Sequence, residues 1–388
     1  MSNASHKLCM IPGPVECDGD VLASMATQAT SHVAPNFIEC FGETIELLRQ
    51  AFFAPTGQPF VVAGSGTLTW DMTAANLVEP GDHVLVIVSG IFGDWFGECI
   101  EVYGGKVTFL KAPFGSRVSD DELRAALDRA PVPYKLVTLT HVDTSTGVLT
   151  DVEAFAKIIR EKSPSTLIAV DGVCSVGAEV LKQEEWGIDV VLTASQKALG
   201  VPPGLGVLVA SRRAIDVALH RKAPPSTYFA SFKKWLPIMQ KYEARQPSYF
   251  ATPPVQLIMS LHISLKQLLN APGGMLARFE KHAEASNRIK DLVESWGLKL
   301  VAHNRQIAAN TLTAVYLPEG VTVPALLSKM GSHNVVIAGG LHPEHAQKYF
   351  RIGHMNISVV DDGKLGHLKS TLEALKQSFK ECGYTLPQ

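Results

Sequence analysis

The sequence predicts an α/β fold: a large domain built on a mainly parallel sheet flanked by helices, followed by a smaller α/β domain. Two observations carry this prediction. Short apolar, β-branched runs alternate with amphipathic helical patterns through the first two thirds of the chain, the signature of strands joined by helical crossovers. After a glycine-rich break the pattern resumes in the last 110 or so residues and ends in one clear amphipathic helix.

Taken in order, the predicted strands are Phe60–Ala63, Val84–Val88, Leu136–Thr140, Leu167–Asp171, Val190–Ala194 and Gly206–Ala210. Leu68–Leu77 reads as a helix, and so does Asp151–Glu161, with Val152, Phe155, Ala156 and Ile159 on one face. From Ser226 to Pro254 the pattern breaks into an aromatic- and proline-rich stretch carrying Tyr228, Phe229, Trp235, Tyr249 and Phe250. A long helical pattern follows, interrupted at Ala271-Pro272-Gly273-Gly274, which reads as a hinge or turn. Leu365, Leu368, Leu372, Leu375 and Phe379 then mark the apolar face of a terminal helix. These breaks suggest an N-terminal arm over residues 1–20, a large domain over 21–271 and a small domain over 272–388.

Composition narrows the function. With 46% hydrophobic and 19% charged residues the chain is globular, and a formal net charge of −2 gives no electrostatic footprint for nucleic acid. The longest apolar runs, such as Val84–Val88, are too short to span a bilayer, so no membrane partner is expected. Six cysteines at irregular spacing form neither a disulfide framework nor a zinc pattern, which suggests a reducing compartment. The N-terminus lacks an apolar signal core and the C-terminus lacks a peroxisomal tripeptide, so an intracellular, cytoplasmic location is expected, peroxisome or mitochondrion remaining open. The sequons at Asn3 and Asn356 are read as chance matches. Thirteen histidines without metal spacing make a metal site unexpected.

In an open parallel sheet, ligands sit beyond the carboxyl ends of the strands. There Asp171 closes one apolar run, and Lys197 follows another through Ser195 and Gln196. Each alone reads equally as a strand-end cap or a surface lysine. Together they suit pyridoxal phosphate, which needs an amine for its aldehyde and a carboxylate facing its ring nitrogen. Gly64-Ser65-Gly66-Thr67 stands between a strand and a helix, a place where backbone amides and the helix dipole favour a phosphate. It matches neither a dinucleotide fingerprint nor a nucleoside-triphosphate loop. Phe92, after the strand Val84–Val88, offers a ring face or a core residue; Cys174 reads as packing; His141 and Asp143 are expected on the same rim as the lysine. Arg351, between apolar neighbours, needs an anion, either a planar carboxylate ligand or an internal glutamate.

These residues and their contexts resemble the class V pyridoxal-phosphate aminotransferases of the alanine/serine–glyoxylate group, from Ile11-Pro12-Gly13-Pro14 to the Arg351 segment. The most specific block is Ser195-Gln196-Lys197-Ala198-Leu199-Gly200-Val201-Pro202-Pro203-Gly204. His141–Gly147, Val170–Ser175, Tyr249–Pro254 and Arg351–Met355 support it. The resemblance implies the fold type I transferase architecture and pyridoxal 5'-phosphate as cofactor. Lys197 would be the Schiff-base lysine and Asp171 the ring-nitrogen partner. Ser65, Gly66, Thr67 and Gln196 would hold the phosphate, and Phe92 would stack on the ring. Ser145 would touch the ring hydroxyl or the substrate carboxylate, with Arg351 and Gly13 also on the substrate. It further implies a homodimer in which Tyr249 and Thr252 complete the neighbouring phosphate site. Thr67 and Gly172 depart from residues common in such relatives. The implied reaction is ping-pong transfer from L-alanine to glyoxylate, yielding pyruvate and glycine. Serine as donor, or a non-catalytic dimeric scaffold of the same fold, are the alternatives.

Overall fold

A computed structural model describes residues 6–387; the sequon at Asn3 lies outside them. Seven strands form the main sheet: β1 (Gln58–Ala63), β2 (His83–Val88), β3 (Lys106–Lys111), β4 (Leu136–Thr140), β5 (Leu167–Asp171), β6 (Val190–Ala194) and β7 (Leu205–Ala210). Their spatial order is β1-β7-β6-β5-β4-β2-β3. Only β7 is reversed, pairing antiparallel with both β1 and β6. The other strands therefore bring their carboxyl ends to one edge, with Thr140 directly opposite Asp171. Strands β4 to β7 are buried along their whole length, which explains why they read as mainly apolar, β-branched runs rather than as an alternation of apolar and charged residues. Strand β3 escapes the sequence pattern because it is an edge strand whose KVTFLK alternates exposed and half-buried residues.

Helices α1 (Gly66–Leu77), α2 (Ile91–Val102) and α3 (Val152–Lys162) return the chain between strands. The α3 stripe Val152, Phe155, Ala156 and Ile159 is buried as its spacing predicts. The stretch 226–254 is not wholly irregular: Phe232–Glu243 forms a helix despite Pro237. Its buried face of Phe232, Trp235, Leu236 and Met239 holds it to the core, so packing outweighs the proline's lost hydrogen bond.

At Ala271–Gly274 the chain turns, with φ of 78° at Gly273 and 58° at Gly274, values that glycine adopts without strain. The helix that follows, α4 (Gly274–Ser295), serves two apolar clusters. Met275 and Phe279 pack on the main sheet's core. Ala285, Ile289 and Val293 pack into a second core with Phe350, Ile352 and Phe379. This second core lines a small antiparallel sheet of β8 (Leu312–Tyr316), β9 (Ala338–Gly339) and β10 (Tyr349–Gly353), ordered β8-β10-β9. The terminal helix α5 (His367–Glu381) buries Leu368, Leu375 and Phe379. Leu365 precedes it and is 40% exposed, so it leaves the predicted stripe. Asn356 is 6% exposed, with its side chain bonded to Glu16 and Arg278, which agrees with a chance sequon.

Candidate active site

A cavity of about 170 Å³ opens at the carboxyl edge of the main sheet. Ser65, Gly66 and Thr67 reach it after β1, Thr140 from the end of β4 with Val142 and Thr144 beyond it, Asp171 from the end of β5 with Cys174 beyond it, and Gln196 and Lys197 after β6. Residues far apart in the chain thus meet because parallel strands end together.

Asp171 is 4% exposed and is the last residue of β5. Its carboxylate accepts hydrogen bonds from the Trp70 indole N–H at 2.9 Å and the Val173 amide at 2.9 Å. Burial pushes its pKa up to about 6, against the lowering effect of those two donors and of the Lys197 charge. Trp70 had no place in the sequence reading. It stands one helical turn beyond Gly66 on α1, so its position was readable, but its partner lies 101 residues away.

Lys197 donates to the Pro12 carbonyl, which brings the N-terminal segment over the lysine. Gly13, at φ 87°, packs so closely that any Cβ would strike the Lys197 side chain. Gly66 begins α1 with Ser65 as N-cap, and no side chain caps the helix. A Cβ on Gly66 would come within 3.1 Å of Val173, so the backbone approach there is tight. Gln196 lines the cavity, and its buried side-chain oxygen has no hydrogen-bond partner. The Phe92 ring lines the same space, edge-on to Trp70 with centroids 6.5 Å apart.

Three expectations change. His141 and Asp143 do not line the cavity, because alternation along 140–144 sends Thr140, Val142 and Thr144 inward instead. Asp143 lies behind the rim, fully buried, and accepts from Phe92 N at 3.1 Å, Ser145 N at 2.9 Å and Ser145 Oγ at 2.6 Å. The Ser145 hydroxyl is therefore committed to Asp143 and, as acceptor, to Ile91 N at 3.0 Å. Cys174 is both packing and lining: it joins a small cluster with Val142, Ala309 and Leu312 and faces the cavity, and burial pushes its thiol pKa up. Tyr249 and Thr252 do not meet this cavity within one chain; Tyr249 is 62% exposed.

Arg351 reaches the rim from β10. Its Nε donates to the Gly339 carbonyl at 2.7 Å and its Nη1 to the Thr144 carbonyl at 3.0 Å. Among the described residues it forms no ion pair, so the internal-glutamate alternative is not what the fold adopts. Burial draws its pKa down.

The arrangement offers a lysine amine, a buried carboxylate, an aromatic face, an uncapped helix N-terminus and a guanidinium with donors to spare. Among the described residues, no helix is long and apolar enough to cross a membrane.

Comparison with known proteins matches residues 21–358 to the aminotransferase class-V family. The chain is 40% identical over 383 residues to alanine–glyoxylate aminotransferase 1 of Saccharomyces cerevisiae, covering 96% of this chain and 97% of that one. It is 29% identical over 379 residues to serine–glyoxylate aminotransferase of Hyphomicrobium methylovorum, covering 97% and 90% of the two chains. The crystal structure of alanine–glyoxylate aminotransferase from Nostoc sp. superposes with a TM-score of 0.87 at 30% identity, covering 97% of this chain and 96% of that one. The chain belongs to the class V aminotransferases, fold type I enzymes that move amino groups between amino acids and 2-oxo acids with pyridoxal 5'-phosphate.

Proposed function

We propose that this aminotransferase takes the amino group of L-alanine and gives it to glyoxylate, releasing pyruvate and glycine in a ping-pong cycle. The observation that carries the reading is one cavity holding Lys197 and buried Asp171, beside a guanidinium, Arg351, whose protein partners are backbone carbonyls.

The residues fit the cofactor. The uncapped N–H groups at Ser65, Gly66 and Thr67 suit its phosphate, and the side-chain NH2 of Gln196, which lines the same cavity, would add a donor. Phe92 suits its ring face. Asp171, aimed by Trp70 and Val173, suits its ring nitrogen and would hold a proton there. Once bound, pyridoxal phosphate supplies an aldehyde for an amine and a ring that withdraws the electron pair left at the substrate Cα. Lys197 Nζ would act as general base and then general acid within each half-reaction, taking the proton from the donor's Cα in the first and supplying one to the new amino acid's Cα in the second. Arg351 would grip the substrate carboxylate with the donors that Gly339 and Thr144 leave free. Gly13, without a side chain, lets the N-terminal segment lie directly against the lysine, where it would also meet the substrate. Ser145 would act through Asp143 and the rim rather than by touching the ligand.

Among the described residues Lys197 is the only cation lining the cavity, and Arg351 the one we assign to a carboxylate, which favours a monocarboxylate donor over aspartate or glutamate. The stronger likeness to an alanine–glyoxylate enzyme favours alanine over serine. We further propose a homodimer: Tyr249 at 62% exposed, with Tyr228 at 70% and Phe229 at 39%, forms an aromatic surface from which Tyr249 and Thr252 would reach a second copy's cavity. Two domains meeting near residue 271 are supported by the two apolar clusters, and a reducing interior by six free cysteines.

The test is product formation from paired substrates. Purified holoenzyme given L-alanine and glyoxylate should form pyruvate and glycine in equal amounts, and Lys197→Ala should not. Equal or better turnover with L-serine would transfer the assignment to the serine donor; no product from either would refute it.

A further inference from the structure

Arg351 sits in a closed circuit of hydrogen bonds, and one member of that circuit is a hydroxyl two residues away. Tyr349 and Arg351 share a face of β10, where side chains alternate. Both cross to the rim after β4. Arg351 holds the Thr144 carbonyl at 3.0 Å, and the Tyr349 hydroxyl donates to the next carbonyl, that of Ser145. The same hydroxyl accepts the backbone N–H groups of Leu341 at 2.9 Å and His342 at 3.0 Å. The loop bearing those amides begins at Gly339, whose carbonyl takes Arg351 Nε at 2.7 Å. From Arg351 the circuit runs through Gly339, Leu341, Tyr349, Ser145 and Thr144 and returns.

Tyr349 is fully buried, and its ring occupies the space a Cβ at Gly340 would need, 2.6 Å from Tyr349 Cε1. Ring packing alone would be served equally by phenylalanine. The oxygen adds only the ordering of three backbone groups, one beside Arg351's partner Thr144 and two in the loop that begins at its partner Gly339.

We propose that Tyr349 is a positioning residue: its hydroxyl fixes the Gly339–His342 loop against the rim, sets the direction of the Arg351 fork, and so governs how tightly a substrate carboxylate is held. It takes no part in proton transfer. This inference rests on the reading of Arg351 given above.

The experiment compares wild-type, Y349F and R351Q holoenzymes with two reagents that attack the bound cofactor's aldehyde. Aminooxyacetate carries a carboxylate and O-methylhydroxylamine does not; each reaction is followed by the loss of visible absorbance. Y349F should lose about tenfold, and R351Q about 100-fold, of the preference for aminooxyacetate, with methylhydroxylamine rates and starting spectra unchanged. In Y349F the KM for alanine should rise about tenfold while kcat stays within about twofold of wild type. If R351Q keeps the wild-type preference, the carboxylate role of Arg351 falls and this inference with it. If R351Q loses the preference and Y349F retains it, only the role of Tyr349 is overturned. A Y349F protein that slows equally with both reagents, or starts with an altered spectrum, shows a general structural role and overturns it too.

Discussion

The floor and the rim of the cavity are built on different principles. The floor consists of Gly66, Asp171 and Lys197, each at or just past the end of a strand whose neighbours fix its height. The rim is a set of cross-chain contacts: Arg351 reaches Thr144 across 207 residues and Tyr349 reaches Ser145 across 204. Among the described residues each region holds a charge with no ion-pair partner of its own, a buried carboxylate whose pKa burial raises and a half-buried guanidinium whose pKa burial lowers. Isolated buried charges are expensive. The difference teaches that the floor is set by topology and tuned for chemistry, whereas the rim is set by hydrogen bonding and tuned for recognition.

Substitutions should separate the two. The largest effect belongs to the floor: Lys197→Ala should lower single-turnover reaction with alanine by about 10³-fold or more, measured by rapid mixing. Asp171→Asn should cost about 10²-fold in kcat with a smaller change in the KM for alanine, since the carboxylate acts on the developing charge. At the rim the pattern reverses. Arg351→Gln should raise the KM for alanine about 10²-fold and change kcat less, because it removes a charge-assisted grip present before the reaction as well as during it. The smallest effect is Phe92→Leu, which keeps the apolar volume and forfeits ring stacking worth about 1 kcal/mol, to be read as a few-fold weaker cofactor binding.

The floor also carries a pH signature. In the cofactor-free protein Asp171 has a folded pKa of about 6 against an ordinary 3.8, so the folded state binds its proton more tightly than the unfolded state. The wild type should therefore lose up to about 3 kcal/mol, relative to Asp171→Asn, as pH rises from about 4 to about 6, with no further loss from this group above that range. Denaturant titrations of both apo-proteins across that window measure it. A flat difference would mean that the carboxylate is not desolvated.

The floor was largely legible in the sequence because its signals are local. The strands Leu136–Thr140, Leu167–Asp171 and Val190–Ala194 are mainly apolar and β-branched runs without a charge before their last residue, and the residues that close or follow them are the chemical ones. Strand β3 was not legible, since an edge strand of alternating charge and apolarity looks like a connector. At the rim, Arg351 announced itself as a cation among apolar residues. Its ties to Thr144 and Gly339, the Trp70 bond to Asp171 and the turning of Asp143 away from the cavity depend on tertiary approach that no local pattern encodes. Ser145 shows the same limit: the motif placed it near the site, while the hydrogen bonds of its hydroxyl point it at Asp143.

The central claim is that one cavity completes both halves of an alanine–glyoxylate exchange. The most direct measurement is the visible absorbance of purified holoenzyme, titrated first with L-alanine and then, after removal of the pyruvate formed, with glyoxylate. The account predicts that alanine abolishes the visible band and that stoichiometric glyoxylate restores it. A band that alanine does not diminish, whether or not serine does, or one that alanine abolishes and glyoxylate fails to restore, would contradict it.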